Sequence, residues 1–141
     1  MKTKKVVKSP TKLPKIKTKS KTKVKAELDR IFSLYIRLRD HFICCTCGKT
    51  GEEGMQCGHY IPRGNMNTRW DEMNNNSQCI GCNVFNHGRM DEYALFMVRK
   101  YGEGILEEMN KRKNTIRQWT ISEMEEQIEI YKEKVNKIIN A

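Results

Sequence analysis

The sequence predicts an α+β fold, with a short hairpin and several helices gathered around a four-cysteine metal site. Three observations carry this. Two Cys-x-x-Cys pairs, Cys44/Cys47 and Cys79/Cys82, are spaced to serve one metal ion. Between them lie glycines, a proline and the strand-forming pair Tyr60-Ile61. On either side, apolar residues recur three and four apart, as on one face of a helix.

From Ala26 onward, Leu28, Ile31, Phe32, Tyr35 and Leu38 share a helical face. Residues 43–62 read as a cysteine knuckle followed by a hairpin, with Pro62 closing it. The polar, asparagine-rich stretch 63–78 reads as a loop. A short helix is expected from about Cys79 to Gly88 and another from Asp91 to Tyr101, stopped by Gly102. A helical turn or two follows over 104–112. Thr120 and Glu123 then form a capping box for the last helix. There Ile121, Met124, Ile128, Tyr131, Val135 and Ile138 make a heptad seam. That seam packs on the protein's own core or pairs with a second copy as a homodimer.

The 141 residues carry a formal net charge of +10, very unevenly placed. Residues 1–25 hold 11 lysines and no acidic residue, which leaves the rest nearly neutral. Such a block has few apolar anchors, so it is expected to be a disordered arm. It reads either as a phosphate-seeking segment, with Lys15, Lys17, Lys19, Lys21, Lys23 and Lys25 on a nucleic-acid backbone, or as a solubilising leader. No apolar run approaches the roughly 20 residues of a membrane span, and no signal-peptide core is visible. A cytoplasmic protein with no membrane partner is expected.

Six cysteines in such a protein point to metal rather than disulfides. Two Cys-x-x-Cys turns complete a tetrahedron around zinc, and Gly48 supplies the tight backbone of the first. A redox-active Cys-x-x-Cys would need only one pair. Cys45 and Cys57 are left over; Cys57 reads as a small core residue.

Bracketed by the cysteines are Gly58-His59-Tyr60-Ile61-Pro62, then Asn74, then Asn83 directly after Cys82, and His87 four residues further. Phosphodiester hydrolysis needs a base and a divalent cation. His59 can be the base near neutral pH. Asn83 offers a neutral oxygen to a hard cation, and on a helix His87 shares its face. Arg63, Arg69 and Arg89 flank these residues and can bind phosphate bidentately. Trp70 can stack on an unpaired base or pack the core, while Asn75 and Asn76 read as ordinary loop residues and His41 as structural.

The motif GHYIP, with an asparagine five residues before CxxCN and all of it between CxxC pairs, resembles the HNH endonucleases, phage endonuclease VII among them. More specifically it resembles the NinG/Rap recombination endonucleases of lambdoid phages. That likeness includes CCTCGK, QCGHY, RWDEMNNNSQC, CNVFNHGRM, EYALFMVRKYGEGIL and TISEMEEQIEIYKEKV, and covers about residues 26–139. It implies a small ββα-metal (HNH) finger supported by a four-cysteine zinc knuckle, flanked by an N-terminal helix and C-terminal helices. The arm would span 1–25, the nuclease domain 26–102, and the C-terminal helical segment 103–141. His59 would be the general base, Asn74 the asparagine that holds the hairpin, and Asn83 with His87 the ligands of a catalytic Mg²⁺ or Mn²⁺. The substrate would be branched DNA, cut during phage recombination in the bacterial cytoplasm. One departure is Gly58, which stands where many HNH enzymes carry a metal-binding aspartate or histidine; Asp71 or Glu72 could supply a carboxylate, or His59 itself could lean toward the metal. The alternative is a non-catalytic zinc module that binds DNA or protein.

Overall fold

A computed structural model describes residues 19–141. The first helix, α1 (Lys21–Arg39), begins five residues before Ala26, so the boundary expected after residue 25 is corrected. Ser20 caps it by accepting the Lys23 N–H at 3.3 Å, and Val24 joins Leu28, Phe32 and Ile36 on its buried face. Lysines in a first turn oppose the helix dipole by roughly 0.3–1 kcal/mol each. Burying a valine contributes about 1.5–3 kcal/mol and carries the helix outward over them. Lys21, Lys23 and Lys25 are thus helical, Lys19 pairs with Glu27 at 3.0 Å, and Lys15 and Lys17 lie outside the described residues.

Strands β1 (Met55–His59) and β2 (Asn75–Cys79) pair antiparallel, from Met55 opposite Cys79 to His59 opposite Asn75. This corrects two expectations. Tyr60 and Ile61 lie just beyond β1, and the loop expected over 63–78 ends in a strand. The sequence Asn-Asn-Ser-Gln-Cys has almost no β-forming residues, yet all five are buried. The amide side chains of Asn75, Asn76 and Gln78 are held by backbone carbonyls and neighbouring groups, so tertiary bonding overrides a weak intrinsic preference. A single π-helical turn, Gly81–Phe85, replaces the short helix expected from Cys79. Asn86 closes it, its Nδ2 donating to the Gly81 carbonyl at 2.7 Å.

Helix α2 (Met90–Tyr101) ends at Gly102, whose φ of 96° is the stop expected there. It packs with α3 (Ile105–Lys113) through Tyr93, Met97, Ile105 and Met109, over Ile61. Helix α4 (Ile121–Ile139) opens with the Thr120/Glu123 capping box. Its seam residues Met124, Ile128 and Tyr131 are buried in the core shared with α1 and Trp70, and Val135 is buried as well. Tyr131 meets Phe32 edge-on at 4.9 Å. These four seam residues are spent within the chain, which is the first of the two alternatives the heptad pattern offered, while Ile138 stays exposed. The C-terminal helix therefore shares its core with the N-terminal one. Among the described residues no helix is long and apolar enough to cross a membrane.

Candidate metal centre and adjoining cleft

The first cysteine pair sits on a tight knuckle. The Cys44 N–H donates to the Lys49 carbonyl at 2.8 Å, the Gly48 N–H to the Cys44 carbonyl at 2.9 Å, and Gly48 takes a φ of 78°. A side chain would strain that conformation. Cys79 closes β2 and Cys82 lies in the π turn. The four sulfurs of Cys44, Cys47, Cys79 and Cys82 all lie within 4.8 Å of one another. The Cys47–Cys79 separation is 3.7 Å, close to the roughly 3.8 Å edge of a tetrahedron of thiolates bonded at about 2.3 Å. Burial opposes ionisation of Cys44, but hydrogen bonds from the Thr46 hydroxyl and nearby backbone bring its pKa down to about 6. The cluster is compatible with a structural metal ion. Cys45 and Cys57 stand outside it. Burial pushes the Cys57 thiol up to about 12, and that thiol donates to Asn75 Oδ1 at 3.4 Å.

Beside this centre lies a cleft of about 600 Å³, lined in part by β1. Helix α1 contributes Asp29, Phe32 and Ser33; β1 contributes Gln56, Cys57 and His59; the far wall holds Asn83 and His87, with Arg63 at the mouth. Four of the expected residues, His59, Asn83, His87 and Arg63, thus line one space. His87 is not on a helix with Asn83. It lies just past the π turn in the left-handed region, at φ 53°, and reaches the cleft from there.

The His59 ring has a defined tautomer. Its Nε2 lies 3.1 Å from the Arg69 carbonyl, which can only accept. Nε2 therefore carries the hydrogen and Nδ1 the lone pair. Burial pushes the imidazole pKa down to about 4; the Arg69 and Arg63 charges also lower it, against the raising effect of that backbone bond and of Asp29. At neutral pH the ring is uncharged.

The loop that carries this carbonyl is fastened by two asparagines. Asn74 is fully buried; its Oδ1 accepts the Ile61 N–H at 2.7 Å, and its Nδ2 donates to the carbonyls of Ile61 and Thr68 at 3.0 and 3.2 Å. Its polar atoms are committed to backbone, as befits a residue that holds the end of the hairpin. Asn75, expected as an ordinary loop residue, sits opposite His59 and donates to the same Arg69 carbonyl at 3.2 Å and to that of Asp71 at 2.8 Å. Sequence reasoning missed it because an asparagine run signals a loop, not a strand that stitches one down.

The expectations for Arg69, Asp71 and Glu72 are corrected, while Trp70 takes the core alternative left open for it. Arg69 is buried, with its guanidinium bonded to both Asp29 oxygens and to the Arg63 carbonyl, so it is not presented to a phosphate. Burial works against the Asp29 charge, yet Arg69 and the Trp70 indole N–H hold its carboxyl below the usual range. Trp70 is a core residue. Arg89 lies beyond His87, paired with Glu92 at 2.9 Å. Asp71 pairs with Arg112 and Glu72 with Lys134, each at 2.7 Å, and neither lines the cleft.

Position 58 has a physical reason to be glycine. A Cβ there would lie 2.2 Å from Gln78 Oε1 and 2.8 Å from Gln78 Cβ. Gln78 is fully buried; its Nε2 donates to the Gly88 carbonyl at 2.8 Å and to the Thr46 hydroxyl at 3.1 Å. It ties the knuckle to the loop that carries His87 and fills the space of a residue-58 side chain. Across the cleft, Asn83 Nδ2 donates to Gln56 Oε1 at 2.8 Å, so Oδ1 is the Asn83 atom available to a cation.

The family described as "Bacteriophage Lambda NinG protein" matches residues 1–140 of this chain. Among curated proteins, "Protein ninG" of Escherichia phage 933W is 28% identical over 109 residues, covering 76% of this chain and 54% of that protein. "Protein ninG" of Escherichia phage lambda is 28% identical over 109 residues, covering 76% and 53%. That of Salmonella phage P22 is 29% identical over 91 residues, covering 63% and 44%. The chain spans about half the length of the curated relatives it matches. No solved structure matches it.

Proposed function

The chain belongs to the NinG family of phage proteins, and from that premise we propose that it is a metal-dependent DNA endonuclease of the HNH (ββα-metal) kind, its cysteine cluster holding a structural zinc ion. The observation that carries this reading is His59: a neutral imidazole, tied through Nε2 to the Arg69 carbonyl, in a cleft shared with Asn83 and His87. The order of strand, strand and helical turn beside the cysteines supports it.

Four thiolates leave zinc no open coordination position, so its role is to hold the knuckle against the π turn. When bound, Mg²⁺ or Mn²⁺ supplies charge to orient the scissile phosphate and stabilise the leaving oxygen. Asn83 Oδ1 and the exposed His87 ring are the groups that would hold it. So small a protein ligand set suits a cation that keeps several of its waters. His59 Nδ1 takes the proton of the attacking water, while the Nε2–H bond to Arg69 fixes the tautomer and shares the charge that develops. Arg63, exposed at the cleft mouth, positions a backbone phosphate. The lysine-rich first 25 residues add affinity that depends on salt rather than sequence. Branched DNA as substrate, and the bacterial cytoplasm as the place of action, follow from the family resemblance.

A second reading, a non-catalytic zinc module, draws on Gly58, where a metal-binding side chain is sterically shut out by Gln78. The test that separates the two is cleavage of four-way junction, flap, D-loop and linear duplex by zinc-loaded protein with Mg²⁺ or Mn²⁺. Cutting that EDTA abolishes, strongest on branched forms, is the expected result. Intact DNA of every kind with either metal would leave only the binding module.

A further inference from the structure

Away from the cleft, a second groove of about 500 Å³ lies where the start of α1 meets the segment before α4. Lys21, Lys25 and Arg117 line it with Trp119 and Met66, and no acidic residue is among its lining residues. Arg117 lies 3.9 Å above the centre of the Trp119 ring. The indole N–H is in turn fixed to the Met66 carbonyl at 3.0 Å. A stacked guanidinium is held flat with its N–H edges outward, the arrangement that binds phosphate or stacks beneath a base. Its pairing with Glu123 is long, at 3.8 Å, and both groups are nearly half-exposed, so a phosphate can displace it.

Two routes join this groove to the cleft. On α1, Lys21, Lys25 and Asp29 stand four residues apart on one face, with the lysines in the groove and Asp29 in the cleft. At about 1.5 Å per residue this is a path of roughly 12 Å. On the loop after β1, Arg63 lies in the cleft and Met66 in the groove. In the sequence, the lysine-rich residues 1–18 precede α1.

We propose that this groove binds the phosphate backbone of the single strand that leaves the cleft, with Arg117 on Trp119 as its fixed anchor. The inference rests on the nuclease reading for the strand's path, but its own test is binding without cleavage. The whole 141-residue chain, loaded with zinc, is titrated into fluorescein-labelled oligothymidine in EDTA-free, Mg²⁺-free buffer across a salt series. A Lys21→Gln/Lys25→Gln/Arg117→Gln variant is expected to raise Kd at least tenfold. It should also reduce the slope of log affinity against log salt by about 2, from roughly 0.7 per lost phosphate contact. Tryptophan fluorescence should be quenched on binding in wild type, and Trp119→Phe should abolish that quench, because Trp70 is buried. Zinc content and circular dichroism of both variants report whether they fold. A folded triple variant with the wild-type slope overturns the groove, as does polyglutamate competing as well as DNA. Wild-type cutting with an unmoved slope sinks the groove alone; a shifted slope without any cutting sinks the nuclease and supports the groove.

Discussion

His59 is uncharged in the folded protein because its ring is buried and its Nε2–H is spent on the Arg69 carbonyl. Its folded pKa, about 4, lies below the ordinary 6.5, so the unfolded chain takes up the proton first. The corresponding stability is fully present above pH 6.5 and is lost as pH falls from there toward 4. It is worth at most about 3 kcal/mol, less for the part of the ring that meets water. Denaturant titrations of wild type and His59→Gln should therefore converge over that window; parallel curves would contradict a buried neutral imidazole. The placement of His59 in the cleft and of Asn74 against the hairpin end was legible because position between cysteine pairs is a local signal. That of Arg69 was not, because its carboxylate partner Asp29 is 40 residues away in sequence. Gln78 was hidden for the same reason: only folding brings it over Gly58.

At the scale of elements, the heptad periodicity of α4 announced a buried face but not what buries it. The occupant is α1, through Phe32 and Tyr35 against Tyr131. Ile128 is 3% exposed within that contact. Ile128→Ala should cost about 2–4 kcal/mol in urea unfolding while leaving zinc content intact, since the cysteines lie in a separate cluster. A loss under 1 kcal/mol would mean the two helices are not packed as described. The polar strand β2 was the element least legible in the sequence. Its five buried residues lack the apolar alternation that marks a strand, and the bonds of Asn75 run to a loop whose path no local pattern encodes.

For the whole molecule, the cysteine centre and the cleft are one construction. Cys79 ends β2, Cys82 sits in the π turn, and Asn83 follows it directly into the cleft. Cys79→Ser should lose the metal, lower the melting temperature by well over 5 °C, and disorder the His87 wall; retained zinc at one ion per chain would contradict the assigned ligand set. The proposed division of labour, one metal to build and one to cut, leads to the central claim of the proposal, that His59 does the chemistry. The direct measurement is single-turnover cleavage of a four-way junction by wild type and His59→Ala, both shown to hold one zinc per chain. The expected result is a 10²–10⁴-fold loss of rate with zinc and fold retained. Equal rates from the two proteins would contradict the claim.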